Sequence, residues 1–225
     1  MKEYKQVKKF ELLPDTAANY QRGAKAAQIA LDLGKTAMMF SRVERVPRYA
    51  DGERENNAEH SYMLQLVVPE VIAALELPLD KGLAAQLAGV HDLIELLTGD
   101  VATFLFDEAA QTNKEANEHS SLNELLAMLP PHTANLLARY EAQAEPEARF
   151  VRYIDKLLPV VVDIIGAGKK VMAEDYGISS LEALQLCHEK LHIRLVSMFN
   201  SEFPEIDIAH KLLCELFETT FDTEL

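Results

Sequence analysis

The chain has 225 residues and carries 36 acidic against 22 basic side chains, a formal net charge of −14 with histidine neutral. That balance excludes a general nucleic-acid binder, which needs a basic footprint for the phosphate backbone. It leaves room for a small anionic substrate wherever a metal ion and a few local cations reverse the field.

The N-terminal stretch MKEYKQVKKFELLP has no apolar h-region, and no apolar run approaches the roughly 18 residues of a membrane span. Neither a secretory signal nor membrane insertion is expected. Cys187 and Cys214 lack CxxC spacing and are expected to be reduced thiols of a cytoplasmic protein.

Apolar periodicity predicts helices over 15–33, 35–45, 57–77, 80–97, 113–129, 132–143, 146–174, 179–200 and 205–220. No stretch alternates with period two for long enough to predict a strand, so the expected fold class is all-α, a compact multi-helix bundle. Pro14-Asp15 opens the first helix and Asn56-Asn57 caps the third. Gly99 closes the fourth, and Gly177 follows the long one. Pro130-Pro131 and Glu145-Pro146 mark turns. The segment Arg45–Glu55, RVPRYADGERE, is the longest polar connection of the first half. Connections of this kind often lead into a site.

Polar residues inside apolar helix text carry the functional signal. His60 begins a stripe that continues through Leu64, Val67, Val71 and Ala74. Taken alone it reads as a core histidine. In the helix 80–97, Leu83, Leu87, Val90, Ile94 and Leu97 form the expected core stripe. Beside it run Ala84, Ala88, His91 and Glu95. His91, Asp92 and Glu95 are spaced so that all three can address one volume. Asp155 lies in the stripe of Val151, Leu158 and Val162, where a carboxylate is costly to bury without a cation or donors. Pro159, four residues on, cannot donate to the Asp155 carbonyl. Taken alone, Asp155 reads equally as a ligand, a structural acceptor or a partner of Arg152 or Lys156. Two imidazoles and two carboxylates in apolar surroundings suit a divalent ion such as Mn, Co, Mg, Zn or Fe, with positions left for water and substrate.

The series His60, His91-Asp92, Asp155 resembles the H…HD…D signature of the HD-domain metal-dependent phosphohydrolases. NNAEHSYML around His60, HDLIELLTGD around the doublet and RYIDKL around Asp155 are similar to the branch containing bacterial 5′-deoxynucleotidases and their eukaryotic HD-domain relatives. Arg45 lies fifteen residues before His60, as an arginine does in that branch. Val46 follows it where those nucleotidases carry an aromatic residue.

The resemblance covers residues 35–175, which implies an N-terminal extension and first helix over 1–34. It leaves 176–225 as a C-terminal helical extension packed on the same domain. It implies one divalent metal ion on His60, His91, Asp92 and Asp155, and hydrolysis of a nucleotide phosphate ester by attack of a metal-bound water. The first substrate implied is a (deoxy)nucleoside 5′-monophosphate. By the same resemblance, Glu95 activates the water, Arg45 holds the phosphate, and Asp100 contacts the sugar or the water network. Lys114, Lys156 and Arg48 are further candidates for phosphate contact. A homodimer is expected, because the C-terminal helices offer more apolar surface than the core needs.

Rival readings stand beside this one. A deoxynucleoside triphosphate triphosphohydrolase of the same fold needs extra cations for the longer phosphate chain. HEKLH at 188–192 matches the zinc-protease motif H-E-x-x-H, with Glu189 as base and His210 as an imagined third ligand. Charged Lys190 fits poorly with the apolar helix of such a site. Leu184, Cys187, Leu191 and Leu195 read as the core face there, with His188 and His192 on a neighbouring polar stripe. His119 and His132 read as surface residues. The last alternative is a non-catalytic helical interaction module, against which Glu95 and Arg45 argue.

Overall fold

The computed structural model describes residues 18–99 and 121–223. Asp100, Lys114, His119 and the first part, 113–120, of the helix expected over 113–129 lie outside the described residues. Among the described residues the fold is all-α apart from one small hairpin.

Helix α1 (Ala18–Phe40) runs unbroken through the expected boundary at 33–35 and buries only Phe40. The helix expected over 35–45 is therefore not separate. Its first six residues belong to α1, and its last two open strand β1 (Glu44–Arg48), which pairs antiparallel with β2 (Arg54–Asn56). The polar segment 45–55 is a hairpin rather than an irregular loop. Gly52 takes φ +90°, and Asp51 Oδ1 accepts the Glu53 N–H at 3.0 Å, which is Asp-Gly turn chemistry. No apolar period-two signal marks these strands because their buried positions are Arg45, Pro47 and Glu55. The hairpin buries charge, and so it reads as loop.

Helix α2 (Asn57–Ala74) begins where its cap predicts. Asn56 accepts from the N–H groups of Ala58 and Glu59, and Glu59 returns the bond to Asn56 N–H. This reciprocal pairing satisfies donors that a helix start leaves orphaned. Its buried stripe is His60, Leu64, Val68 and Ile72. The stripe steps by four throughout, so Val67 and Val71 are only half-buried and Ala74 is exposed.

The helix expected over 80–97 is broken. Helix α3 (Lys81–Ala88) stops at Gly89, and α4 covers only Glu95–Thr98. Between them the backbone winds more tightly: Val90 N–H donates to Leu87, Leu93 N–H to Val90 and Glu95 N–H to Asp92, each spanning three residues. His91 and Asp92 stand in this turn rather than on a helix. The change of winding also moves the core stripe. Ala84 and Ala88 are fully buried, whereas Leu97 is 41% exposed.

In the second half, residues 121–128 form the described part of α5. They are followed by α6 (Pro131–Ala142), α7 (Pro146–Ile165), α8 (Gly168–Glu174), α9 (Leu181–Phe199) and α10 (Pro204–Thr223). The single helix expected over 146–174 is thus two, joined at Gly166. The Gly166 Cα lies so close to the Arg48 carbonyl that no Cβ fits, and Ala167 N–H donates to that same carbonyl at 3.0 Å. Helix α7 runs through Pro159 without a break and is buried on several sides, through Phe150, Val151, Tyr153, Ile154, Leu157 and Leu158. It packs against α2, α3, α9 and α10. A second, smaller cluster joins Val160, Val171, Met172 and Leu184 to Phe217 and Phe221, with Val46 packed on it.

Candidate active site

Three segments bring the polar residues to one point. His60 comes from the first turn of α2, His91 and Asp92 from the tight turn after α3, and Asp155 from the middle of α7. One ligand atom from each lies within 4.8 Å of all the others. Donors on opposite sides of an ion with bonds near 2.1 Å stand about 4 Å apart, so the set is of the right size for one divalent cation. His60 Nε2 is 2.8 Å from Asp155 Oδ1, and His91 Nε2 is 2.9 Å from Asp92 Oδ2. His60 and His91 are buried, as is Asp155, while the Asp92 side chain keeps 16% of its exposure and marks the open side.

The protonation chemistry fits a cation. His91 Nδ1 sits 2.8 Å from the Ala88 carbonyl, which fixes Nδ1 as the protonated nitrogen and turns Nε2 toward the carboxylates. Nε2 has no hydrogen bond of acceptable geometry there. Burial pushes His91 toward its neutral form. The Asp92 and Asp155 carboxylates outweigh burial and hold its pKa up at about 10. His60 goes the other way, lowered by burial and by the Arg45 charge. Burial opposes the charge of both acids. Lys156 and the histidines nevertheless hold Asp155 well below the carboxylate range, while His91 and Arg45 do the same for Asp92. Two ionised carboxylates thus demand positive charge at this point, and a proton on His91 serves where a divalent ion would serve better.

Arg45 and Glu95 stand beside the cluster. Arg45 is 8% exposed, with Nε 3.2 Å from Glu55 and Nη1 3.0 Å from Asp92 Oδ2. Glu95, the first residue of α4, is 7% exposed and lies 3.9 Å from Arg45 Nη1. Lys156 Nζ is 2.8 Å from Asp155 Oδ2. Arg48 is held away from this point by Glu174 at 2.9 Å and Asp175 at 2.8 Å, so it fastens β1 to α8. Val46 faces the second cluster because side chains alternate along β1.

Two residues here had no signal in helical periodicity. Glu55 is fully buried, and its carboxyl is raised to about 7 by burial, against the opposing charge of Arg45. Its Oε2 lies 3.6 Å from His60 Nδ1, behind the imidazole. Asn57 is fully buried between Arg45 and Glu95.

The H-E-x-x-H segment is arranged differently from a zinc site. His188 is not on a polar stripe. It is buried on α9 and pairs through Nδ1 with Glu218 of α10 at 2.7 Å. His192 is half-buried and stacks on His210 with ring centroids 5.6 Å apart. Glu189 is exposed. Among the described residues, only His60, His91, Asp92 and Asp155 form a group with metal-ligand spacing. His132 is exposed, as its polar surroundings predict.

The HD domain family matches residues 40–190, which include all four of these residues together with Arg45 and Glu95. The chain belongs to the HD domain family. Among curated relatives of this HD domain is the 5′-deoxynucleotidase HDDC2 of Xenopus laevis, 28% identical over 144 residues, covering 58% of this chain and 69% of that protein. The Homo sapiens 5′-deoxynucleotidase HDDC2 is 27% identical over 127 residues, covering 52% of this chain and 60% of its own length. The chain thus matches under two thirds of the human protein.

Solved structures agree on the fold. A predicted metal-dependent phosphohydrolase from Magnetospirillum magnetotacticum MS-1 superposes with a TM-score of 0.66 at 21% identity, over 89% of this chain and 95% of that one. The cyanophage S-2L HD phosphohydrolase DatZ, bound to dA and one catalytic Zn2+ ion, gives 0.50 at 21% identity over 84% and 96%.

Proposed function

We propose that this HD domain is a metal-dependent phosphohydrolase acting on a nucleotide phosphate ester, with a (deoxy)nucleoside 5′-monophosphate as the preferred substrate. The observation that carries the reading is the convergence of His60, His91, Asp92 and Asp155 within 4.8 Å, with Arg45 and Glu95 beside them. The relatives' 5′-deoxynucleotidase activity and the dA and Zn2+ bound by DatZ support the substrate class and the metal.

His60, His91, Asp92 and Asp155 would hold a divalent ion, whose charge would acidify water and polarise a phosphoryl oxygen. The chain's own groups do the rest. Glu95, a carboxylate outside the ligand set, takes the proton of the attacking water. The Arg45 donor now on Asp92 is placed to turn to a phosphate oxygen, and a guanidinium matches phosphate geometry with two parallel donors. Lys156, at the edge of the cluster, and Lys114 add positive charge for the phosphate. Asp100 contacts the sugar or the water network. Positioning and charge neutralisation then supply most of the barrier reduction.

No helix among the described residues is long and apolar enough to cross a membrane. Cys187 and Cys214 are free thiols, which supports a reducing, cytoplasmic setting. On α10, Ile208, Leu212 and Leu216 recur every fourth residue and are 60%, 58% and 49% exposed. This stripe supports a homodimer, which light scattering on the purified chain checks.

The deciding experiment is phosphate release from a panel of nucleoside 5′-mono- and triphosphates, with Mn, Co, Mg, Zn or Fe added singly to stripped protein. Metal-dependent orthophosphate release from monophosphates, lost in His91→Ala and Asp92→Ala, is expected. Tripolyphosphate release from deoxynucleoside triphosphates alone moves the assignment to the triphosphohydrolase. Metal binding without hydrolysis of any nucleotide overturns the enzymatic reading.

A further inference from the structure

Two consecutive asparagines open α2, and only one of them serves the helix. Asn56 carries both side-chain cap bonds, to the N–H groups of Ala58 and Glu59. Asn57 is fully buried, and its backbone N–H is already satisfied by the Val43 carbonyl at 3.0 Å. Its side chain has no capping task. It turns into the site, where an uncharged amide is a costly choice for a buried position unless both of its ends are paired.

Both ends are paired, and the chemistry fixes which is which. A guanidinium only donates, so the amide atom 3.3 Å from Arg45 Nη1 is the oxygen, Oδ1. The NH2 group therefore points the other way. It donates to Glu95 Oε2 at 2.7 Å. Arg45 thus sets the Asn57 amide, and the amide sets Glu95. Arg45 itself reaches Glu95 only at 3.9 Å, beyond a direct hydrogen bond.

We infer that Asn57 is a positioning residue for Glu95. It anchors Oε2, so the carboxylate keeps one rotation toward the site. The inference rests on reading Glu95 as the proton acceptor. It differs from a plain packing role in one respect. A packing role needs only an isosteric side chain that accepts from Arg45, whereas positioning needs the N–H donor.

Asn57→Asp separates the two. It preserves shape and the acceptor for Arg45 but places an oxygen against Glu95 Oε2. Asn57→Ala removes both contacts without repulsion and serves as the second variant should the aspartate protein not fold. Each is compared with Glu95→Gln and with the double variant Asn57→Asp/Glu95→Gln, reading kcat, KM, bound metal and melting temperature. A misplaced catalytic group costs on the order of 100-fold.

The expected result is a fall in kcat of roughly 10- to 100-fold with KM changed less than about threefold. Metal content stays native, and the double variant is no slower than Glu95→Gln alone. Native kcat in Asn57→Asp alongside an inactive Glu95→Gln overturns the positioning role and leaves the Glu95 reading intact. An active Glu95→Gln overturns that reading instead. Losses that multiply in the double variant, or a drop in bound metal, show that Asn57 acts through the fold or the metal site and likewise overturn the inference.

Discussion

His60 Nε2 meets Asp155 Oδ1 at 2.8 Å although the two residues are 95 positions apart in the chain. The contact joins the first turn of α2 to the middle of α7, so the candidate metal point is also the place where two core helices are tied together. Filling it with an ion stabilises the fold, and emptying it weakens the fold, because a ligand bound only by the native state shifts unfolding by mass action.

Metal at one hundred times its dissociation constant therefore stabilises by about 2.7 kcal/mol. For a chain of this size that raises the melting temperature by roughly 5–10 °C. Thermal unfolding with added Mn or Zn against excess chelator checks this. The shift vanishes in Asp155→Ala and His91→Ala, together with metal-dependent phosphate release.

Glu55 lies behind His60, 3.6 Å from Nδ1 and 3.2 Å from Arg45 Nε. A carboxylate behind a liganding imidazole orients it and raises its basicity, and its loss typically weakens metal binding about 10- to 100-fold. Glu55→Gln is expected to show this in titration calorimetry and to recover activity as metal concentration rises. Glu95→Gln is expected to bind metal normally and to recover nothing.

Asp163 near the end of α7 is 3% exposed, and Oδ1 has no hydrogen-bond partner. Burial, with the Glu55 charge, pushes its carboxyl up to about 8. The folded protein then keeps a proton that the unfolded chain releases above about pH 4. Its contribution is fully present below pH 4 and is lost as pH rises toward 8. Asp163→Asn removes this loss. Urea unfolding is expected to show the variant more stable by about 1–3 kcal/mol at pH 7.5, equal near pH 4, and with a shallower slope between.

His210 gives the opposite slope. It is fully buried, and its pKa is lowered to about 4 by burial and by the neighbouring His192 and His188. The unfolded chain gains a proton from about pH 6.5 downward that the folded chain resists until about pH 4. Stability therefore falls as pH drops through that window and levels off below it. The loss is at most on the order of 3 kcal/mol. His210→Leu is expected to lose about 1–2 kcal/mol less than the native chain between pH 7 and pH 4.5 in the same assay. An unchanged pH difference sinks this account of the α9–α10 contact.

The converging set of donors was legible because its cost is visible in one dimension. A histidine or aspartate inside an apolar repeat contradicts its neighbours, and His60, His91-Asp92 and Asp155 each do so. The all-α class and most helix ends followed from periodicity and caps, as at Asn56 and Pro146. The hairpin was hidden because the residues it buries are Arg45 and Glu55, whose charge mimics a solvated loop. The break after Ala88 was hidden because the apolar pattern continues past Gly89 while the backbone winding changes.

The sequence by itself singled out the candidates: the four donors with the chemistry to meet a divalent ion, and the acid and arginine that accompany them. Only the tertiary structure decided their arrangement. The tight turn swings His91 and Asp92 to one point, and the hairpin carries Glu55 behind His60 and Arg45 against Asp92. The start of α2 sets Asn57 against Glu95. The physical reason is that burial cost is a property of a residue and its near neighbours, whereas the direction of a buried hydrogen bond depends on groups that only folding brings within 3 Å.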